Sequence, residues 1–108
     1  MKILHASWGY NMTINDFCKV ISETDKTALC QMVGSKIVDG GGYNGNEIVN
    51  VEKSYGETFR LRKKSSPTGD WNYYKGSYPF TEGSDSKRMG LFDEVKDINQ
   101  KFYYNNMD

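Results

Sequence analysis

Arg60, Arg62, Lys63 and Lys64 place four cations within five residues, and Trp71, Tyr73, Tyr74 and Tyr78 follow across the stretch Ser65-Ser66-Pro67-Thr68-Gly69-Asp70. Guanidinium and ammonium groups pair with phosphates or carboxylates, and aromatic rings stack on bases or anchor protein contacts. Arg60, Arg62, Lys64 and Tyr74 are therefore the first candidate binding residues. The plainer reading is also open. Thr58-Phe59-Arg60-Leu61-Arg62 alternates, so the arginines are the ordinary outward residues of a half-buried strand, and at least half of the aromatic residues must serve a core.

Catalytic groupings are harder to assemble. His5 is the sole histidine and sits in a predicted strand, where one imidazole without partners does no chemistry. Asp93-Glu94 and Glu23-x-Asp25 are adjacent acids of the kind that solubilise a turn or surface. Cys18 and Cys30 read as two buried small residues; whether they face each other across a hairpin centred on Thr24 depends on a register shift of one residue. Two cysteines and one histidine are too few for a zinc site. The segment Gly40-Gly41-Gly42-Tyr43-Asn44-Gly45 lacks the Lys-Ser/Thr pair of a phosphate-binding loop. It is expected to be a mobile hairpin tip rather than strand, able to act as a flap. No enzyme, metal or cofactor is predicted.

The elements that must position these residues are short. A chain of 108 residues, 37% hydrophobic and 14% aromatic with eight tyrosines, makes one domain with an economical core. Mean hydropathy is -0.73 and net charge is zero, so no global field draws in nucleic acid or membrane. Residues 1–59 hold five cations and seven acids, whereas residues 60–108 hold nine cations and seven acids, so an anion-binding face belongs to the second half. No apolar run is long enough to span a bilayer. The expected location is the cytosol of whichever cell makes the protein.

Strands are predicted at 2–8, 16–21, 27–33 (extending toward Val38), 47–53, 58–62 and 71–75, with a turn at Ser54-Tyr55-Gly56 and a linker from Tyr78 to Ser86. Leu91, Phe92, Val95, Ile98 and Phe102 recur at three- and four-residue steps, which predicts an amphipathic helix within 87–105. The fold class is α+β, mainly β: residues 1–80 form a small antiparallel, partly open barrel, SH3-like or else OB-like, and the helix closes one end or side. A domain this small gains core by pairing, so a homo-oligomer through a barrel edge or the helix is among the expected states. Trp8, Tyr10, Asn11 and Thr13 are further candidate binding residues; if Leu4, Ala6 and Trp8 share a face, Trp8 is more a wall of the core, while Tyr10, Asn11 and Thr13 project beyond it toward a partner.

The stretch Ser7-Trp8-Gly9-Tyr10, with Thr13, Asp16 and Phe17, resembles the S-W-G-Y-x-x-T-x-x-D-F signature of a small family common in phages, plasmids and other mobile elements. The resemblance covers about residues 3–80, with weaker matches at Lys26-Thr27, Ile48-Val51 and Thr58-Arg62; the charged tail after Ser86 departs from it. It carries no catalytic residue. What it implies is an accessory protein acting in the cytoplasm of a bacterial host cell, which binds and inhibits a host factor, either a host protein or a small nucleotide signal. Single-stranded nucleic acid is the alternative ligand.

Overall fold

The computed structural model describes residues 1–9, 11–69, 72–80 and 86–106. Within them the chain forms seven strands and no helix: β1 (Ile3–Trp8), β2 (Ile14–Glu23), β3 (Thr27–Gly41), β4 (Asn44–Ser65), β5 (Asn72–Tyr78), β6 (Arg88–Glu94) and β7 (Phe102–Asn105). From β1 to β6 each strand pairs antiparallel with its successor, and β6 returns to β1. The six strands close into an up-and-down ring, a simpler path than the Greek key of an OB barrel.

Alternation decides what lies inside. Leu4 and Ala6 of β1 face Cys18 and Asp16 of β2, and these positions point into the ring. Ala28, Cys30 and Met32 of β3, Leu61 of β4, Tyr74 and Tyr78 of β5 and Phe92 of β6 complete the interior, with Phe59 and Val20 packed beside them. Cys18 and Cys30 are both buried and unbridged; they lie diagonally, since Cys18 is opposite Met32 and Cys30 opposite Val20. The outward residues of Thr58–Arg62 are the arginines, as the alternation predicts.

A second core lies outside the ring. After Val33↔Ser54 the next pair is Gly34↔Asn50, so residues 51–53 bulge from β4 and the ladder bends. Beyond the bend, Gly34–Gly41 and Asn44–Asn50 form a hairpin arm, and β7 pairs with the other edge of Asn44–Glu47. The arm and β7 cover β1 and β2: Val49 packs with Ile3, Phe17, Val33 and Val95, while Val51 and Phe102 seal the margin.

Three expectations are corrected. The helix within 87–105 is absent; β6, an irregular segment and β7 occupy it, with Leu91 and Ile98 exposed and only Phe92 and Val95 buried among its stripe. Its spacing comes from one strand, one turn and a second strand. The glycine segment is strand on both sides: Gly40 pairs with Gly45 and Gly41 with Asn44, leaving Gly42 and Tyr43 as a two-residue turn with Gly42 at φ 69°. Lack of side chains lets the two strands meet closely there. The turn expected at Ser54-Tyr55-Gly56 is instead an irregularity within one 22-residue strand, β4. The predicted linker from Tyr78 to Ser86 lies in part outside the described residues, as do Tyr10, Asp70 and Trp71.

Candidate binding face

The outward residues of β4, β5 and β6 meet on one side of the ring. Arg62 is directly opposite Lys75, Lys75 is opposite Leu91, and Lys64 is opposite Tyr73. Arg60, Arg62, Lys64, Lys75, Gly76 and Met89 line a shallow hollow of about 300 Å³. A neighbouring hollow of about 310 Å³ is lined by Pro67, Tyr73, Leu91 and Asp93. Met89 and Leu91 are 58% and 59% exposed, which sets apolar surface beside the cations.

Among the described residues, no acid forms an ion pair with these cations: the pairs are Lys2 and Lys63 with Glu23 and Lys101 with Asp39, and none includes Arg60, Arg62, Lys64 or Lys75. Arg60 donates to the Thr27 hydroxyl at 3.3 Å. Like charges directly opposite across a ladder destabilise it. An anionic partner would relieve that repulsion on binding.

Lys63 and Tyr74 behave differently. Lys63 turns to one end of the ring, where it and Lys2 each approach Glu23 to 2.7 Å. Their hydrogen bonds lower the Glu23 carboxyl to about 2. Tyr74 is buried in the ring, its hydroxyl accepting from Lys2 at 3.1 Å and donating to Glu23 at 3.4 Å. It helps close that end.

The opposite end holds the N-terminal motif. The Trp8 indole N–H donates to Asp16 Oδ2 at 2.7 Å, and the Tyr78 hydroxyl donates to the same oxygen at 2.5 Å. Arg88 donates to the Tyr78 oxygen at 3.0 Å while its guanidinium lies 4.6 Å from the Trp8 ring centre. Phe80 meets Trp8 edge-on. Burial raises the Asp16 carboxyl above its ordinary value, and the Tyr78, Trp8 and Arg88 interactions oppose that rise. Burial and the bond to Asp16 push the Tyr78 phenol well up. Thr13 exchanges two backbone hydrogen bonds with Asn105, tying β7 to the start of β2. Asn11 is exposed, with φ 60°.

The sequence-predicted residues thus occupy different places. Arg60, Arg62 and Lys64 share the β4–β6 face; Trp8, Asn11 and Thr13 belong to one end of the ring and Tyr74 to the other; Gly40–Gly45 form the arm's tip. Lys75, Met89 and Leu91 join the face without having been singled out. Lys75 follows directly from pairing Trp71–Lys75 with β4. Met89 and Leu91 follow from period-two alternation around Gly90 and Phe92, which the helical reading conceals. Comparison with known protein families, curated proteins and solved structures returns no match to this chain.

Proposed function

We propose that this chain is a non-catalytic accessory protein of a phage or other mobile element, which inhibits a host factor by occupying an acidic surface on it. The setting comes from the resemblance of Ser7–Phe17 to the mobile-element signature. The observation that carries the binding mode is the strip of Arg60, Arg62, Lys64 and Lys75, which has no ion-pair partner among the described residues, beside exposed Met89 and Leu91. Arginine and methionine around an apolar centre supply the contacts that anchor protein partners, and complementary charge speeds their encounter.

Single-stranded nucleic acid is the second reading, favoured by the same four cations. It is supported less well, because stacking needs exposed rings. Of the four aromatic residues after the turn, Tyr74 and Tyr78 are buried and Trp71 is outside the described residues, so among the described ones Tyr73 is the ring on this face. A nucleotide signal would place its phosphate in the hollow at Arg60 and Arg62.

The test is affinity capture from bacterial host lysate with the wild-type chain and with the Arg60→Glu/Arg62→Glu variant, followed by mass spectrometry of proteins and small molecules. The proposal expects one dominant protein partner that the folded variant loses. A partner retained by the variant, or a nucleotide in its place, contradicts it. Oligonucleotide titration separates the second reading: four phosphate contacts give a log–log salt slope of roughly -3 for a single strand.

A further inference from the structure

Ring closure pairs the edges of the six barrel strands but leaves the arm. β2 accompanies β3 only as far as Val33, so Gly34–Gly41 have β4 on one side and no strand on the other among the described residues. Residues 35–41 are exposed throughout, including Ile37 at 58% and Val38 at 41%. The outer edge of β7 is treated differently: the Thr13 backbone bonds Asn105 and the Asn15 amide donates to the Tyr103 carbonyl at 2.9 Å. One long edge with apolar side chains is therefore left open, the feature that invites another strand.

We propose that this edge joins two copies of the chain into one continuous antiparallel sheet across a two-fold axis. The residues themselves select a second copy as the occupant. Ile37 is opposite Glu47 and Asp39 opposite Asn46, so the bulge makes Ile37 and Val38 share one step of the ladder. A two-fold axis through that step sets Lys36 opposite the partner's Asp39, and Asp39 opposite the partner's Lys36. It also brings the two Ile37–Val38 pairs together. Moving the register one step either way sets Lys36 opposite the partner's Ile37–Val38 step or sets Asp39 there, and both charge pairs are lost. Lysine and bulges ordinarily keep an edge from pairing. Here the lysine meets Asp39 at the mirrored position, an exposed acid that also pairs with Lys101 of its own chain at 3.1 Å, so both devices suit this one register.

The arm covers β1 and β2, across the ring from the outer face of β4 and β5. A dimer built on it leaves both cationic faces free and presents them together. The inference does not depend on what those faces bind.

Sedimentation equilibrium of the full chain tests it. Wild type is expected to be a concentration-dependent dimer. Lys36→Asp and Asp39→Lys each set like charges opposite one another at two symmetric places, so each should weaken self-association about tenfold or more. Circular dichroism should show both variants folded, since the altered residues are exposed. An equimolar mixture of the two variants should regain dimer, because each then supplies the charge the other lacks, and the doubly swapped chain should regain it alone. A wild type that stays monomeric to millimolar concentration overturns the proposal. So does a dimer indifferent to either reversal, or variants that fail to recover when mixed.

Discussion

At the scale of single residues, Asp16 and His5 carry the sharpest consequences. Asp16 is 7% exposed and takes both the Trp8 and Tyr78 donors. In Asp16→Ala both donors and the nearby Arg88 lose their acceptor or counter-charge inside the structure, a loss on the order of 3 kcal/mol. The expected result is a melting temperature lower by roughly 10–20 °C with the β spectrum retained below it. His5 offers a pH test. Its ring stacks 4.0 Å from Phe102 and Nε2 lies 2.8 Å from Asn15 Oδ1. Burial lowers its pKa below 6.5, with Asn15 and the charges of Asp93 and Asp16 opposing. The unfolded chain then binds the proton more readily than the folded one, so the neutral ring's stabilisation is present above pH 6.5 and is lost as pH falls through the lowered value. Denaturation midpoints measured from pH 7.5 to 5 should fall, and His5→Gln should flatten that part of the profile. Of Trp8, Thr13, Asp16 and Phe17, the structure places Trp8 and Asp16 in one polar cluster, Phe17 in the outer core and Thr13 on the β7 backbone. The side on which Trp8 lies follows from its spacing with Leu4 and Ala6, but it is half-buried at the end of the ring and belongs to neither core cluster. Its acid partner does not follow from spacing, because Asp16 becomes a neighbour only once the β1–β2 register is known.

At the scale of elements, glycine is informative where it faces a ring rather than where it clusters. Gly76 and Gly90 are directly opposite each other on β5 and β6. A Cβ at Gly90 would come within 2.5 Å of Tyr78 Cε1 and 2.8 Å of Phe92 Cε1. Both rings are buried, so neither has room to withdraw. Gly90→Ala should therefore destabilise by about 1–3 kcal/mol through overpacking, read as a lower urea midpoint at unchanged slope. Gly69→Ala is a useful contrast, since its Cβ would meet nothing within 4 Å; any cost there comes from its φ of 79° alone. Gly90 also explains why β6 is hard to read. Alternation at Arg88–Glu94 is carried by Gly90 and Phe92 inside against Met89 and Leu91 outside, and a glycine adds nothing to a hydrophobic pattern. With that signal silent, Leu91, Phe92, Val95, Ile98 and Phe102 imitate a helix. Asp97 shows the interruption: its carboxylate accepts from the Asn99 backbone at 2.9 Å and its carbonyl from Gln100 at 2.9 Å, which folds a turn. By contrast, β4 near Arg60 and its hairpin partner are legible, because there apolar and charged residues alternate without gaps.

At the scale of the whole molecule, the ring closes where the chain is furthest from itself. Leu4 pairs with Glu94 and His5 with Asp93, and the Val95 N–H adds a backbone bond to the Ile3 carbonyl at 2.8 Å. No local sequence pattern announces that seam; it follows from the curvature of five successive hairpin pairings, which is why a partly open barrel is as far as the sequence reaches. The seam is short, and its outer side is covered only after Val95 joins Ile3, Phe17 and Val49. Hairpins form from near neighbours, whereas this contact must first meet the loop-closure entropy of nearly the entire chain. Folding should therefore be slow for the molecule's size, in the millisecond-to-second range common to non-local β topologies. The seam should also be among the last contacts made, so that weakening it leaves the folding barrier almost untouched. Val95→Ala, which removes about 1–2 kcal/mol of packing by trimming a buried side chain, isolates that step. In a stopped-flow chevron the unfolding rate should rise roughly tenfold for each 1.4 kcal/mol lost while the folding rate stays within about a factor of two. Leu61→Ala, in the last part of β4 where β3 and β5 flank it, should slow folding instead, because its contacts belong to the hairpins that come first. Equal effects of both substitutions on the folding arm would mean that the ring closes before the hairpins are complete.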